Sequence, residues 1–293
     1  MIKAATFLKA SATILTTCIL AACGGESSSS SNDTYTMTLT APAMGAVEGK
    51  SVYTLNIKDT DGTAVANASP KMMPLMNMVS GMQHSAPGSG CTNTDSKGDA
   101  QCTVYFLMPS MMNTVKMGDW KLSFSLENDD QEAISFPAVV KMSMNGPAKV
   151  VLVGDSNDQI SYTTNMSNTK KTENRSYYIF NNGITAIDNT HSVEFFVAAK
   201  ESMMNFPTLA SDIVLSEGTN NEITVSNISI SVSSDMNATS DNWVDATPSQ
   251  DGIWNASAIA GYTDKLYVKL SVNGEVKTNN SEPYAIFTAA PDM

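Results

Sequence analysis

The sequence predicts an all-β protein: two tandem β-sandwiches that follow a lipoprotein signal peptide. Three observations carry the prediction. The 293-residue chain is 42% hydrophobic but only 16% charged, against roughly 25% in an ordinary soluble domain. Ser, Thr and Asn take the place of the missing charge, a mix that suits exposed sheet surfaces and turns better than helices. Short runs of β-branched and aromatic residues recur between turn signals, and no stretch of the mature chain has a helical period. Finally, the second half of the chain repeats the plan of the first.

The elements follow in chain order. Residues 1–22 carry Lys3 and Lys9 ahead of a mostly apolar stretch, too short and interrupted to span a membrane, as in a signal peptide. The ending Leu20-Ala21-Ala22-Cys23 resembles a bacterial lipobox, which implies that Cys23 is lipidated; an ordinary secretory signal with a chance cysteine is the alternative. Residues 23–33, rich in Gly and Ser, read as a flexible tether. Residues 34–147 read as a first sandwich, with strands at VYTLNI (52–57), CTVYF (102–106), WKLSFSL (120–126) and FPAVVKM (136–142). Asp59-Thr60-Asp61-Gly62 and Asp95-Ser96-Lys97-Gly98 punctuate them. Residues 148–175 read as a linker or a shared strand, Ser161–Arg175 being the most polar part.

Residues 176–293 read as a second sandwich. There VEFFV (193–197) leads to Ser202-Met203-Met204-Asn205-Phe206-Pro207, much as VYTLNI leads to Lys71-Met72-Met73-Pro74. LYVKLSV (266–272) stands where WKLSFSL does in the first half. Asn273-Gly274 is a hairpin turn before a last strand at Tyr284–Ala289. The offset between halves, roughly 140 residues, is too long for a solenoid. Chance likeness between two all-β halves is the competing reading.

Charge narrows the function. Seventeen basic residues face 29 acidic ones, for a net −12, and Arg175 is the one arginine. Phosphate binding needs clustered Lys and Arg, so nucleic acid is not an expected partner. The two histidines, His84 and His191, lie near no evident nucleophile, and no Walker loop, nucleophile elbow or HExxH occurs. An enzyme is not expected. Asp/Asn groups such as Asp155-Ser156-Asn157-Asp158 lack the spacing of a calcium loop and read as solvated turns.

Methionine is the outlier. Of 19 in the chain, nine fall between Met72 and Met117. Met72, Met76, Met78, Met82 and His84 share even parity, so an extended backbone places them on one face. A turn at Ser80-Gly81 would bring Met76 and Met78 back towards Met82 and His84, and Met111 and Met112 could close over them. Thioethers with an imidazole are soft, proton-independent donors that select Cu(I) over hard cations. Core filling by adaptable side chains is the plainer reading, and sacrificial oxidation is a third. His191, alone in a turn, is not a candidate ligand. Cys91 and Cys102, ten turn-like residues apart, read as a disulfide in an oxidising compartment; a dithiol metal site is the alternative.

The order VYTLNIKDTDG, MMPLMNMVSGMQH, SKGDAQCTVYF, MGDWKLSFSL resembles the YtkA-like/FixH-like group of periplasmic or membrane-attached domains, over roughly residues 36–144. The resemblance implies an immunoglobulin-like fold and a role in copper handling. By position, Met76, Met78, Met82 and His84 would inherit the metal site. The Met-rich loop is longer than the family's, a Cys pair is inserted, and the second domain has no Met/His cluster. The expectation is therefore a cell-envelope lipoprotein, held by its lipid at the outer membrane of a Gram-negative bacterium. It would bind copper, as Cu(I), and pass it to a copper-handling partner. The alternative is a non-metal adhesion or assembly module of tandem immunoglobulin-like domains.

Overall fold

The computed structural model describes residues 27–31, 34–127, 132–144, 146–164, 169–237, 242–250, 252–262 and 264–288. The signal peptide and Cys23 lie outside them. Among the described residues every regular element longer than a single turn is a β-strand, and the strands form two β-sandwiches in tandem.

The first sandwich faces a five-stranded sheet against a four-stranded one. The larger runs in the order Ser27–Ser31, Tyr35–Thr40, Gly49–Asp59, Asp99–Phe106, Gly88–Cys91; the smaller runs Ile134–Ala138, Gly118–Leu126, Pro70–Met78, Gln83–Ser85. Alternation decides which side chains go inward. In Gly49–Asp59, Tyr53, Leu55 and Ile57 are buried while the residues between them are more exposed, as a half-buried strand requires. They meet Met76, Trp120, Leu122 and Phe124 of the opposite sheet. The serine run expected as a tether is partly sheet: Ser27–Ser31 pairs antiparallel with Thr36–Thr40, every serine exposed. Its backbone finds partners along the edge of Tyr35–Thr40 even though its side chains bury nothing.

The second sandwich begins earlier than residue 176. Lys149–Val153 is the edge strand of its five-stranded sheet, followed by Ser176–Ile187, Thr190–Ala199, Ile253–Ala260 and Thr247–Gln250. Ser161–Arg175, expected as linker, contributes to a hairpin in which Gln159–Thr163 pairs with Lys170–Asn174. Ile160 and Tyr162 face inward from this hairpin while Thr163 and Lys170–Thr172 are exposed, and composition alone does not separate such a polar hairpin from a linker. The facing sheet centres on Lys265–Val272, with Ile228–Ser233 on one side and Glu275–Val276 and Ala285–Thr288 on the other. Tyr177, Ile179, Phe195 and Val197 pack inward onto Val268, Leu270 and Phe287.

The alternate residues of those same strands face the first sandwich. Phe180, Phe196 and Ala198 form a separate buried cluster with Ile253 and with Tyr105 of the first domain. Tyr105 stacks on Phe196 with ring centroids 3.9 Å apart and an interplanar angle of 4°, and Asn182 donates a hydrogen bond to the Tyr105 hydroxyl at 3.1 Å. Lys149 bridges to Glu48 at 2.7 Å, and the Ser85 amide donates to the Met203 carbonyl at 2.9 Å.

Candidate functional site

The Met-rich segment folds back on itself. Pro70–Met78 and Gln83–Ser85 pair with Met76 opposite His84, and the Met78 amide donates to the Met82 carbonyl across a turn that Gly81 enters at φ 85°. On its other side Met76 lies opposite Trp120. One transverse row of the four-stranded sheet therefore reads Trp120, Met76, His84, all three buried.

His84 is the polar member of that row. Its ring meets the Trp120 ring edge-on at 5.0 Å, its Nδ1 lies 2.9 Å from the Ser85 carbonyl oxygen, and its Nε2 lies 3.0 Å from the Met108 sulfur. The Trp120 indole donates to the Met108 carbonyl at 3.0 Å, and Phe106 closes against Trp120. Burial lowers the His84 pKa; the Ser85 carbonyl opposes the shift and the Lys149 charge adds to it. The imidazole is neutral near pH 7. With a carbonyl at Nδ1, the favoured tautomer carries its proton there and presents the Nε2 lone pair to the thioether.

The seven residues expected as ligands divide. Met76 and His84 share the buried row. Met78 is half-buried one pleat along from Met76, beside Gly118. Met72 lies four residues along the strand, about 13 Å away at strand spacing, opposite Phe124. Met82 in the turn is 39% exposed, and Met111 and Met112 lie on a small exposed hairpin with Val115–Lys116 at 50% and 43%. Met108, outside the expected set, is the sulfur the imidazole faces. Parity relates residues within one segment only, whereas Met108 follows the strand Asp99–Phe106 in the opposite sheet. Nothing in the local pattern ranks it above Met111 or Met112.

Cys91 and Cys102 form the expected disulfide, directly opposite one another on neighbouring strands. Among the described residues no group of three or more His, Cys, Asp or Glu side chains is placed to hold a metal ion. His191 packs beside the Tyr262 ring at 4.8 Å.

No protein-family model matches the chain, and no curated protein does. Solved structures similar to it include FdeC, an Escherichia coli adhesin, at 16% identity over 92% of this chain and 67% of that one, with a TM-score of 0.23. Another is the Yersinia pseudotuberculosis adhesin InvE, at 12% identity over 88% of this chain and 63% of that one, TM-score 0.27. A third comprises domains 5–6 of the S-layer protein SbsC, at 10% identity over 85% and 93%, TM-score 0.23. The chain thus spans about two thirds of the length of these adhesin chains or less. At such identities and TM-scores the likenesses say nothing about the site.

Proposed function

We propose that the chain is an extracytoplasmic surface module, an adhesion or assembly element whose two sandwiches act as one stiff body, tethered through lipid at Cys23. The observation that carries this reading is the aromatic dock. Tyr105, Phe180 and Phe196 would be outward-facing in isolated sandwiches, yet each is at most 1% exposed. Such a dock transmits force and fixes the direction of a distal surface; a flexible linker would do neither. The contact surface is the exposed apolar group at the turn and hairpin beside it: Val79, Met82, Met111, Met112 and Val115. The Val79 amide donates to the Met117 carbonyl and so holds the turn beside the hairpin; exposed apolar groups gathered in this way mark contact sites, and methionine adapts to varied partners.

Display on a non-adherent bacterium tests the proposal. Retention on protein-coated surfaces, or self-aggregation, is expected to rise with the chain and to fall when Val79 and Val115 are both replaced by Glu. Unchanged retention in every arm, with the chain accessible to external antibody, contradicts it.

One specific observation favours a second reading, copper handling as in the YtkA-like/FixH-like group. The His84 Nε2 and the Met108 sulfur face each other in a pocket walled by Trp120 and Met76. Imidazole plus thioether fits Cu(I) better than a hard cation, so His84 and Met108 would hold the ion, with Met76 as the adjacent sulfur. A competitive Cu(I) titration tests it. One-to-one binding lost in both His84→Gln and Met108→Leu supports the reading, and equal binding by all three proteins removes it.

A further inference from the structure

The second sandwich buries a cluster of charges that neither reading uses. Lys277 and Asp158, 119 residues apart, have side chains only 1% and 3% exposed, and the Lys277 Nζ lies 2.8 Å from Asp158 Oδ2. Glu275 Oε2 is 2.8 Å from the same Nζ. The Tyr177 hydroxyl donates to Asp158 Oδ2 at 2.7 Å, and Arg175 Nε donates to Oδ1 at 2.7 Å. Arg175, wholly buried, also pairs with Glu201. Amine, carboxyl and donors on both carboxyl oxygens therefore meet away from water, and the base on the amine, Glu275, stands at the rim with its side chain 32% exposed.

We propose that Lys277 and Asp158 are the reacting pair of an intramolecular amide cross-link, which ties the entry of the second sandwich to the segment leading into its last strand. The atoms balance without a co-reactant. The Lys277 ammonium passes a proton to Glu275, and the freed amine attacks Asp158 Cγ. Arg175 steadies the negative charge that grows on Oδ1. Oδ2 takes the proton held by Glu275 and the second Nζ proton and leaves as water. Tyr177, whose hydroxyl pKa is pushed up by burial and the Asp158 charge, keeps its proton and steadies Oδ2 by hydrogen bonding. One C–N bond forms and one C–O bond breaks; an ammonium and a carboxylate become an amide and one water.

Burial favours the product. In water, hydration of the separated ions opposes condensation, whereas here both ions are already stripped of solvent and held in contact. Burial alone would raise the Asp158 pKa, but the hydrogen bonds from Lys277, Tyr177 and Arg175 outweigh it and hold the carboxyl below its ordinary value. The reaction accordingly starts from the ion pair, and Glu275 is needed to unload the amine. Gly154 fits the arrangement: a Cβ there would come within 2.4 Å of Asp158 Oδ2.

Tryptic mapping of the full reduced chain tests the proposal. Acylated Lys277 resists trypsin, so residues 270–293 should remain uncut and joined to residues 150–170, the pair lighter by one water than the two peptides together. Lys277→Arg keeps the charge and should release the peptides separately. Glu275→Gln should lower the linked fraction at least about tenfold, as loss of a proton-transfer group does. Free 150–170 together with cleavage after Lys277 in the unaltered chain overturns the proposal, as does a linkage at any other pair.

Discussion

The two sandwiches seat their buried polar groups by opposite chemistry. In the first, the polar member of the transverse row is His84, neutral, flanked by sulfur and indole. In the second, the acids Asp158 and Glu201 are buried against the bases Arg175 and Lys277. A neutral imidazole beside a thioether costs little to bury, so the first core needs no charge partner. A buried charge demands one, and each of these four has at least one. The first pocket should therefore tolerate shape-preserving change, whereas the second should not tolerate loss of any single member.

The largest effect should come from Arg175→Met, which leaves Glu201 and part of Asp158 buried without a cation. Unfolding in urea should show the second sandwich destabilised by about 3–5 kcal/mol, the usual consequence of breaking a buried pair. His84→Gln should cost clearly less in the same measurement, and an equal cost would break the comparison. Next is Phe196→Ala at the dock, expected to cost about 3 kcal/mol, the low end for truncating a buried ring, and to split one unfolding transition into two. A single transition in the variant would mean that the sandwiches are not coupled through these rings. Replacing both Cys91 and Cys102 by Ala should remove about 2–3 kcal/mol from the first sandwich alone, as for loss of a short disulfide loop.

The smallest effect is pH dependence at His84. Its folded pKa is lowered by burial below its ordinary value of 6.5. The unfolded chain therefore binds the proton first, and the contribution is whole above pH 6.5 and is lost as pH falls through the folded value. The pH slope of stability just below 6.5 should be shallower in His84→Gln, and an identical slope would show that His84 is not neutral in the fold.

Much of this architecture was legible in the chain. Alternation in VYTLNI and WKLSFSL marked strands whose inward residues form the first core, and the Cys91–Cys102 spacing marked the disulfide. The dock was not read, although its trace is present. Phe195-Phe196-Val197-Ala198-Ala199 is apolar without alternation, the mark of a strand covered on both faces. Arg175 was placed at the end of a polar linker, because a charge that folds inward looks like any other charge until its partners 17 and 26 residues away are known. Met108 was hidden for the same reason. Its partner His84 is 24 residues distant and on the other sheet, a relation that periodicity within one strand does not encode.

The proposed stiffness requires that the two sandwiches move as one body through the Tyr105–Phe196 stack. Spin labels on the exposed residues Asp61 and Glu222, one in each sandwich, give the direct test by pulsed dipolar distance measurement. A single narrow distance distribution that broadens in Tyr105→Ala is expected. A distribution already broad in the unaltered chain, and unchanged by that substitution, would contradict it.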